Sequence, residues 1–218
     1  MLSLTWHSTS RPIHASVRHR IPRIGSPGQR AGSWAHLRQA TLRTLDASDC
    51  TLEPLTVAHA REMFRVLSDP AIYEFENEPP ESEQWLADRY ELLESRRSPG
   101  GAERWLNWVI RLPGGELAGY VQATVLPSGT SYIAYELNSR YWRRRIGTRA
   151  VTAMLDELHS AYGAHTFVAV FKSANHRSAA FLRSLGFSPA SASQTAQLGA
   201  ESDEHVMVKR VGKSQNAA

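Results

Sequence analysis

Cysteine is nearly missing from this chain: Cys50 is the only one among 218 residues, so an internal disulfide is impossible and a metal site built on several thiolates is excluded. That usage fits a reducing compartment, and a cytoplasmic location is the expectation. Long apolar runs are absent too, and no stretch approaches the ~18 consecutive apolar residues of a membrane span, so no membrane partner is expected. Acids are missing from the first 45 residues, which hold seven arginines: Arg11, Arg18, Arg20, Arg23, Arg30, Arg38 and Arg43. The nine histidines show no pairing at metal-ligand spacing, so no metal is expected. A P-loop lysine motif and a Gly-x-Ser-x-Gly elbow are also lacking, which removes support for nucleotide hydrolysis and serine-esterase chemistry.

What remains describes one globular domain, 42% apolar and 21% charged. The net charge of +4 belongs to the leader, because setting its seven arginines aside leaves 18 basic and 21 acidic residues, a balance of −3. Residues 1–48 read as a basic, disordered leader, with an organellar transit peptide and a start site further downstream as the other two readings. The leader lacks the lysine and aromatic interleaving of a nucleic-acid arm, so nucleic acid is not the expected partner. The folded domain is expected over 49–212 and a flexible tail over 213–218, as a monomer or homodimer.

From Asp49 the chain alternates periodic segments with clear turn signals. Residues 51–54 read as a strand, and Thr56 as the N-cap of a helix through Ala58, Met63, Phe64 and Leu67. A second helix is predicted over 81–96. Strands over 104–111, 116–125 and 130–137, joined by Pro-Gly and Ser-Gly turns, form an antiparallel meander. A helix over 148–160, a strand over 165–171, a helix over 175–185 and a strand over 205–210 complete an α+β layer in which about four helices flank a mixed central sheet.

Between the third meander strand and the helix that follows lies Tyr141-Trp142-Arg143-Arg144-Arg145-Ile146-Gly147-Thr148. A strand-to-helix turn presents the first unpaired N–H groups of its helix, and the helix dipole adds a partial positive charge. With adjoining guanidiniums, this turn is expected to hold an anion such as phosphate.

Taken in order, these residues resemble the GNAT superfamily of acyl-CoA N-acyltransferases, in particular the branch of ribosomal-protein N-terminal acetyltransferases. Leu52-Glu53-Pro54-Leu55 with Leu67-Ser68-Asp69-Pro70 is similar to the opening helix of that branch and its exit. Leu137 through Trp142 running into Ile146-Gly147-Thr148 is similar to its pyrophosphate loop, and Asn175, Ser178, Leu182 and Leu185-Gly186-Phe187 to its second cofactor motif. The resemblance covers about residues 49–210. It implies a GNAT fold and acetyl-CoA as co-substrate, bound between the third and fourth long strands, with direct transfer to an amine acceptor that is a protein N-terminus or a small molecule. A non-catalytic acyl-CoA sensor on the same fold is the alternative.

The same resemblance assigns Leu137, Trp142, Arg143, Arg144, Arg145, Ile146, Gly147, Thr148 and Asn175 to cofactor binding. Arg145 stands where the family usually has a small residue. If its backbone needs positive φ, it carries strain on the order of 1 kcal/mol; alternatively its guanidinium is itself a phosphate ligand. Asn175 would hydrogen-bond the pantetheine arm, cap its helix, or do both. Ser178 is the expected proton donor to the leaving thiolate, because Leu182 stands where many members carry a tyrosine. Amide formation needs a neutral amine and therefore a base. Glu136, on one face of its strand with Tyr132 and Ala134, is the first candidate; Glu74 and Glu76 lie where the family builds its acceptor pocket.

Overall fold

The protein is described here by a computed structural model that covers residues 41–212. The leader as far as residue 40 and the tail over 213–218 lie outside the described residues, and with them the readings placed on those segments. Eight strands form one sheet: β1 (Leu45–Asp46), β2 (Thr51–Pro54), β3 (Arg104–Arg111), β4 (Leu117–Val125), β5 (Thr130–Leu137), β6 (Thr166–Lys172), β7 (Ser188–Pro189) and β8 (Glu204–Arg210). Their spatial order is β1-β2-β3-β4-β5-β6-β8-β7, and only β5 and β6 run parallel.

The meander forms because its strands alternate sides and carry apolar residues on both. On β3, Trp108 and Ile110 enter the core beneath α3 (Ile146–Tyr162), where Val151, Met154 and Leu158 meet them. Val109 points the other way, into a second core with α1 (Ala60–Leu67) and α2 (Glu83–Glu94), whose Met63 and Leu86 have no exposed surface. Each such fully buried side chain contributes roughly 2 kcal/mol by leaving water. The sheet is therefore covered on both faces, as the α+β expectation requires.

Three boundaries differ from the sequence expectation. The sheet begins upstream of Asp49, because Leu45 pairs with Leu52 and both Leu45 and Ala47 are buried. A two-residue strand is too short to show a period of two. Thr56 caps a single 3-10 turn, Val57–His59, and its own N–H donates to Nδ1 of His59 at 3.0 Å; α1 starts only at Ala60. Besides α4 (His176–Ser184), a fifth helix appears, α5 (Ala192–Gln197), capped by Ser191. Its sequence is polar and lacks an apolar stripe, so periodicity could not reveal it.

Candidate active site

β5 and β6 pair only at Thr130–Thr166, Ser131–Phe167 and Tyr132–Val168. From Ile133 and Ala169 onward the strands part, and a cavity of about 560 Å³ opens between them. Because the gap passes through the sheet, residues from both faces of β5 reach it. Ile133, Ala134, Tyr135, Glu136 and Leu137 all line it, facing Ala169, Val170 and Phe171 of β6.

At one end lies the arginine turn. Arg145 is the N-cap of α3 with φ 61° and ψ 4°, the left-handed conformation, and Arg143 shares a φ of 61°. A side chain with a Cβ is strained there. No side chain caps α3, and its first intrahelical bond runs from the Arg149 N–H to the Arg145 carbonyl at 3.1 Å. That leaves the N–H groups of Ile146, Gly147 and Thr148 as helix-start donors, and all three residues line the cavity. Arg143 and Arg145 line it as well. Arg144 does not: its guanidinium lies over the Tyr141 ring, 5.9 Å from the centroid. Of the three arginines expected to meet an anion, Arg144 is thus placed away from the cavity, because successive residues of a tight turn diverge.

Trp142 is fixed by its indole N–H, which donates to the Leu137 carbonyl at 2.7 Å. The turn is tied to the end of α1 by the Ser139 N–H, which donates to Asp69 at 2.7 Å, and by the Asn138 amide, which donates to the Val66 carbonyl at 3.0 Å. Asn175 caps α4 by accepting the Ser178 N–H at 3.0 Å, and it also lines the cavity. Capping and a place on the cavity wall therefore coexist at one residue.

Ser178 lines the cavity near the Tyr135 hydroxyl, whose ring packs edge-on against Phe181 at 4.8 Å. Burial pushes the Tyr135 phenol well up, and the nearby Ser178 hydroxyl offsets part of that rise. Tyr135 was missed in the sequence because strand alternation puts it on the face opposite Glu136. It reaches the cavity only because β6 has moved away.

At the other end, Glu136 stands opposite Tyr120 in the β4–β5 ladder. Burial, reinforced by the carboxylate of Glu76, pushes its pKa from an ordinary 4.5 up to about 8. Tyr73 and Tyr120 lie within electrostatic reach of Glu136, and burial holds both phenols protonated. Ala71, Ile72, Phe75 and Glu76 close this end, whereas Glu74 sits outside and pairs with Arg177. Among the described residues no group of three His, Cys, Asp or Glu could hold a metal ion, and no helix is long and apolar enough to cross a membrane.

The parted β5–β6 pair thus brings helix-start donors and a buried, proton-holding carboxyl to one cleft. Residues 49–188 match the family model described as Acetyltransferase (GNAT) domain. The chain belongs to the GNAT acetyltransferase family. Solved structures agree in fold. The ribosomal-protein-S5-alanine acetyltransferase of Vibrio fischeri superposes with a TM-score of 0.64 at 17% identity, over 81% of this chain and 99% of that one. The ribosomal L7/L12 α-N-protein acetyltransferase RimL, solved with coenzyme A, gives 0.64 at 16% identity over 78% and 98%. The microcin C7 self-immunity acetyltransferase MccE, solved with acetyl-CoA and AMP, gives 0.60 at 18% identity over 75% and 93%. No curated protein matches the sequence.

Proposed function

We propose that this protein is an acetyl-CoA-dependent N-acetyltransferase that passes the acetyl group directly to the amine of a protein N-terminus or a small molecule. The observation that carries the reading is the meeting, in one cleft, of an anion-receptive turn and a buried carboxyl that titrates close to neutrality. The helix-start N–H groups of Ile146, Gly147 and Thr148, with Arg143 and Arg145, suit a pyrophosphate; Asn175 suits an amide-bearing arm running down the gap. RimL and MccE, solved with coenzyme A and acetyl-CoA, support that choice of co-substrate.

Acetyl-CoA, when bound, supplies an activated acyl thioester. The remaining steps fall to this chain. Glu136 in its carboxylate form takes the proton that the amine must lose as its nitrogen attacks the thioester; with a pKa of about 8 that form is the minor one at neutral pH and the major one above pH 8, so the rate rises through that range. Ser178, backed by the Tyr135 hydroxyl, donates a proton to the departing thiolate. Phe75, Tyr135, Trp142 and Phe181, which line the cavity, keep water from these transfers.

Calorimetry with acetyl-CoA, followed by thiol release across a panel of amines and peptides with free N-termini, tests the reading. Binding with amine-dependent thiol release is the expected result. Binding without release from any amine points instead to the sensor, and no binding rejects both.

A further inference from the structure

One guanidinium joins the two ends of the cleft. Arg177, in the first turn of α4, has its Cζ 4.8 Å from the centroid of the Trp142 ring and 5.0 Å from that of Phe75. Its Nη2 lies 2.5 Å from Oε2 of Glu74. Trp142 belongs to the arginine turn and is locked to β5 through Leu137; Glu74 and Phe75 belong to the segment that closes the opposite end. That segment has one other tether to the turn, at Asp69, which accepts the Ser139 N–H. Residues 70–76, four of which line the cavity, are held beside the arginine turn by Asp69 and by Arg177, while the Tyr73 hydroxyl donates to the Leu67 carbonyl of α1 at 2.7 Å.

Glu74 points outward, but Phe75 and Glu76, the next two residues, line the cavity. Arg177 grips the side chains of Glu74 and Phe75, the two residues just before Glu76. An exposed ion pair alone would do this weakly. A guanidinium lying over two aromatic rings adds cation–π attraction and a planar fork that an ammonium lacks.

We propose that Arg177 is a positioning residue of the acceptor half of the site: stacked on Trp142 and Phe75 and paired with Glu74, it keeps Glu76 facing Glu136 across the cleft. This rests on the transferase reading for its catalytic consequence, though not for the geometry. The groups facing Glu136 are Glu76 and Tyr73 from the closing segment, Tyr120 from β4 and its own neighbour Tyr135. Of these, Glu76 lies on the segment that Arg177 holds, one residue beyond Phe75, and its charge raises the proton affinity of Glu136. Loosening that segment weakens this contribution, so the base titrates at lower pH.

The test compares wild type, Arg177→Met and Arg177→Lys. Hydrogen exchange of the apo protein, read on peptides spanning residues 70–80, needs no substrate; the Met variant is expected to exchange there at least tenfold faster, with Lys in between. Acetyl-CoA affinity by calorimetry is expected to stay within twofold. With an amine from the panel that the wild type acetylates, the acid limb of the kcat profile is expected to move down by at least half a pH unit in Arg177→Met and to recover in part with Lys. Unchanged exchange overturns the proposal. So does a marked loss of acetyl-CoA affinity with an unmoved acid limb, which would make Arg177 a ligand of the cofactor. If wild type binds no acetyl-CoA, the transferase reading fails while the exchange arm still decides the tether.

Discussion

Arg43 clasps Glu157 from 114 residues away: its Nε donates to both carboxylate oxygens at 3.0 Å, and its Nη2 lies 2.5 Å from Oε2. Glu157 is only 3% exposed on α3, so it depends on this partner to be charged in the core. The Arg43 carbonyl also accepts the indole N–H of the fully buried Trp108 at 2.9 Å. Residues 41–48, read from composition as the end of a basic, disordered leader, thus belong to the folded domain.

The first prediction follows. A chain beginning at residue 41 keeps Arg43, β1 and Leu45. One beginning at residue 49 should melt on the order of 5 °C lower or more, because it loses β1, buried Leu45 and the partner of Glu157. Circular dichroism melts of the two truncations decide this. Glu157→Gln in the shorter chain should recover part of the loss.

Glu136 carries a second prediction, and its sign is fixed by its raised pKa. Between about 4.5 and 8 the folded state holds a proton on Glu136 that the unfolded state has released, so this group's stability contribution is complete below 4.5 and lost as pH rises towards 8. The slope is about 1.4 kcal/mol per pH unit at its steepest. Glu136→Gln should flatten that decline in denaturant titrations run from pH 5 to 8. The same variant should lower kcat by about 10²-fold or more and abolish the acid limb near pH 8. An unaltered pH profile would remove Glu136 as the base.

Gly119 allows β4 and β5 to approach at the same place. A Cβ there would lie 2.0 Å from the Glu136 carbonyl oxygen, a backbone atom that cannot swing aside. Gly119→Ala should therefore push the β5 backbone out at Glu136, lower unfolding free energy by about 1–3 kcal/mol and reduce kcat more than acetyl-CoA affinity. Denaturant unfolding with calorimetry separates the two effects.

Arg145 is left-handed and its side chain lines the cavity, so strain and binding sit on one residue. Arg145→Gly relieves roughly 1 kcal/mol of strain but also adds unfolded-chain entropy, leaving stability within about 1 kcal/mol of wild type. Losing a charge-assisted bond of about 1.5 kcal/mol should weaken acetyl-CoA binding about tenfold. Tighter binding by the glycine variant would show that the guanidinium contributes nothing to holding phosphate.

Ser178 and Tyr135 should act as a unit. Ser178→Ala and Tyr135→Phe are each expected to lower kcat at least tenfold, and the double variant to be little worse than the poorer single. Independent, multiplying effects in that cycle would separate the two hydroxyls.

The sequence carried most of the fold because its signals are local: turn dipeptides, strand-like apolar runs such as 104–111, and caps such as Asn175. The cofactor end of the site was legible for the same reason, since Trp142 through Thr148 and Asn175 through Ser178 are short contiguous runs. What stayed hidden depends on contacts between distant segments. Tyr135 faces away from Glu136 along the strand and reaches the cavity only because β6 departs after Val168, which nothing local announces. Arg177 has no local sequence signal, because the ring of Phe75 that it lies over is about a hundred positions earlier. Arg43 was grouped with its leader because net charge counts arginines without regard to their partners.

The short β5–β6 ladder has a mechanical side. It joins a slab of five strands to one of three through only three residue pairs, so the sheet is most easily parted where the chemistry is proposed to occur. A molecule lying in that gap and touching both slabs acts as a missing rung. Its affinity would then appear twice, once as a dissociation constant and again as slowed amide exchange along Ile133–Leu137 and Ala169–Phe171, far beyond the few groups it contacts.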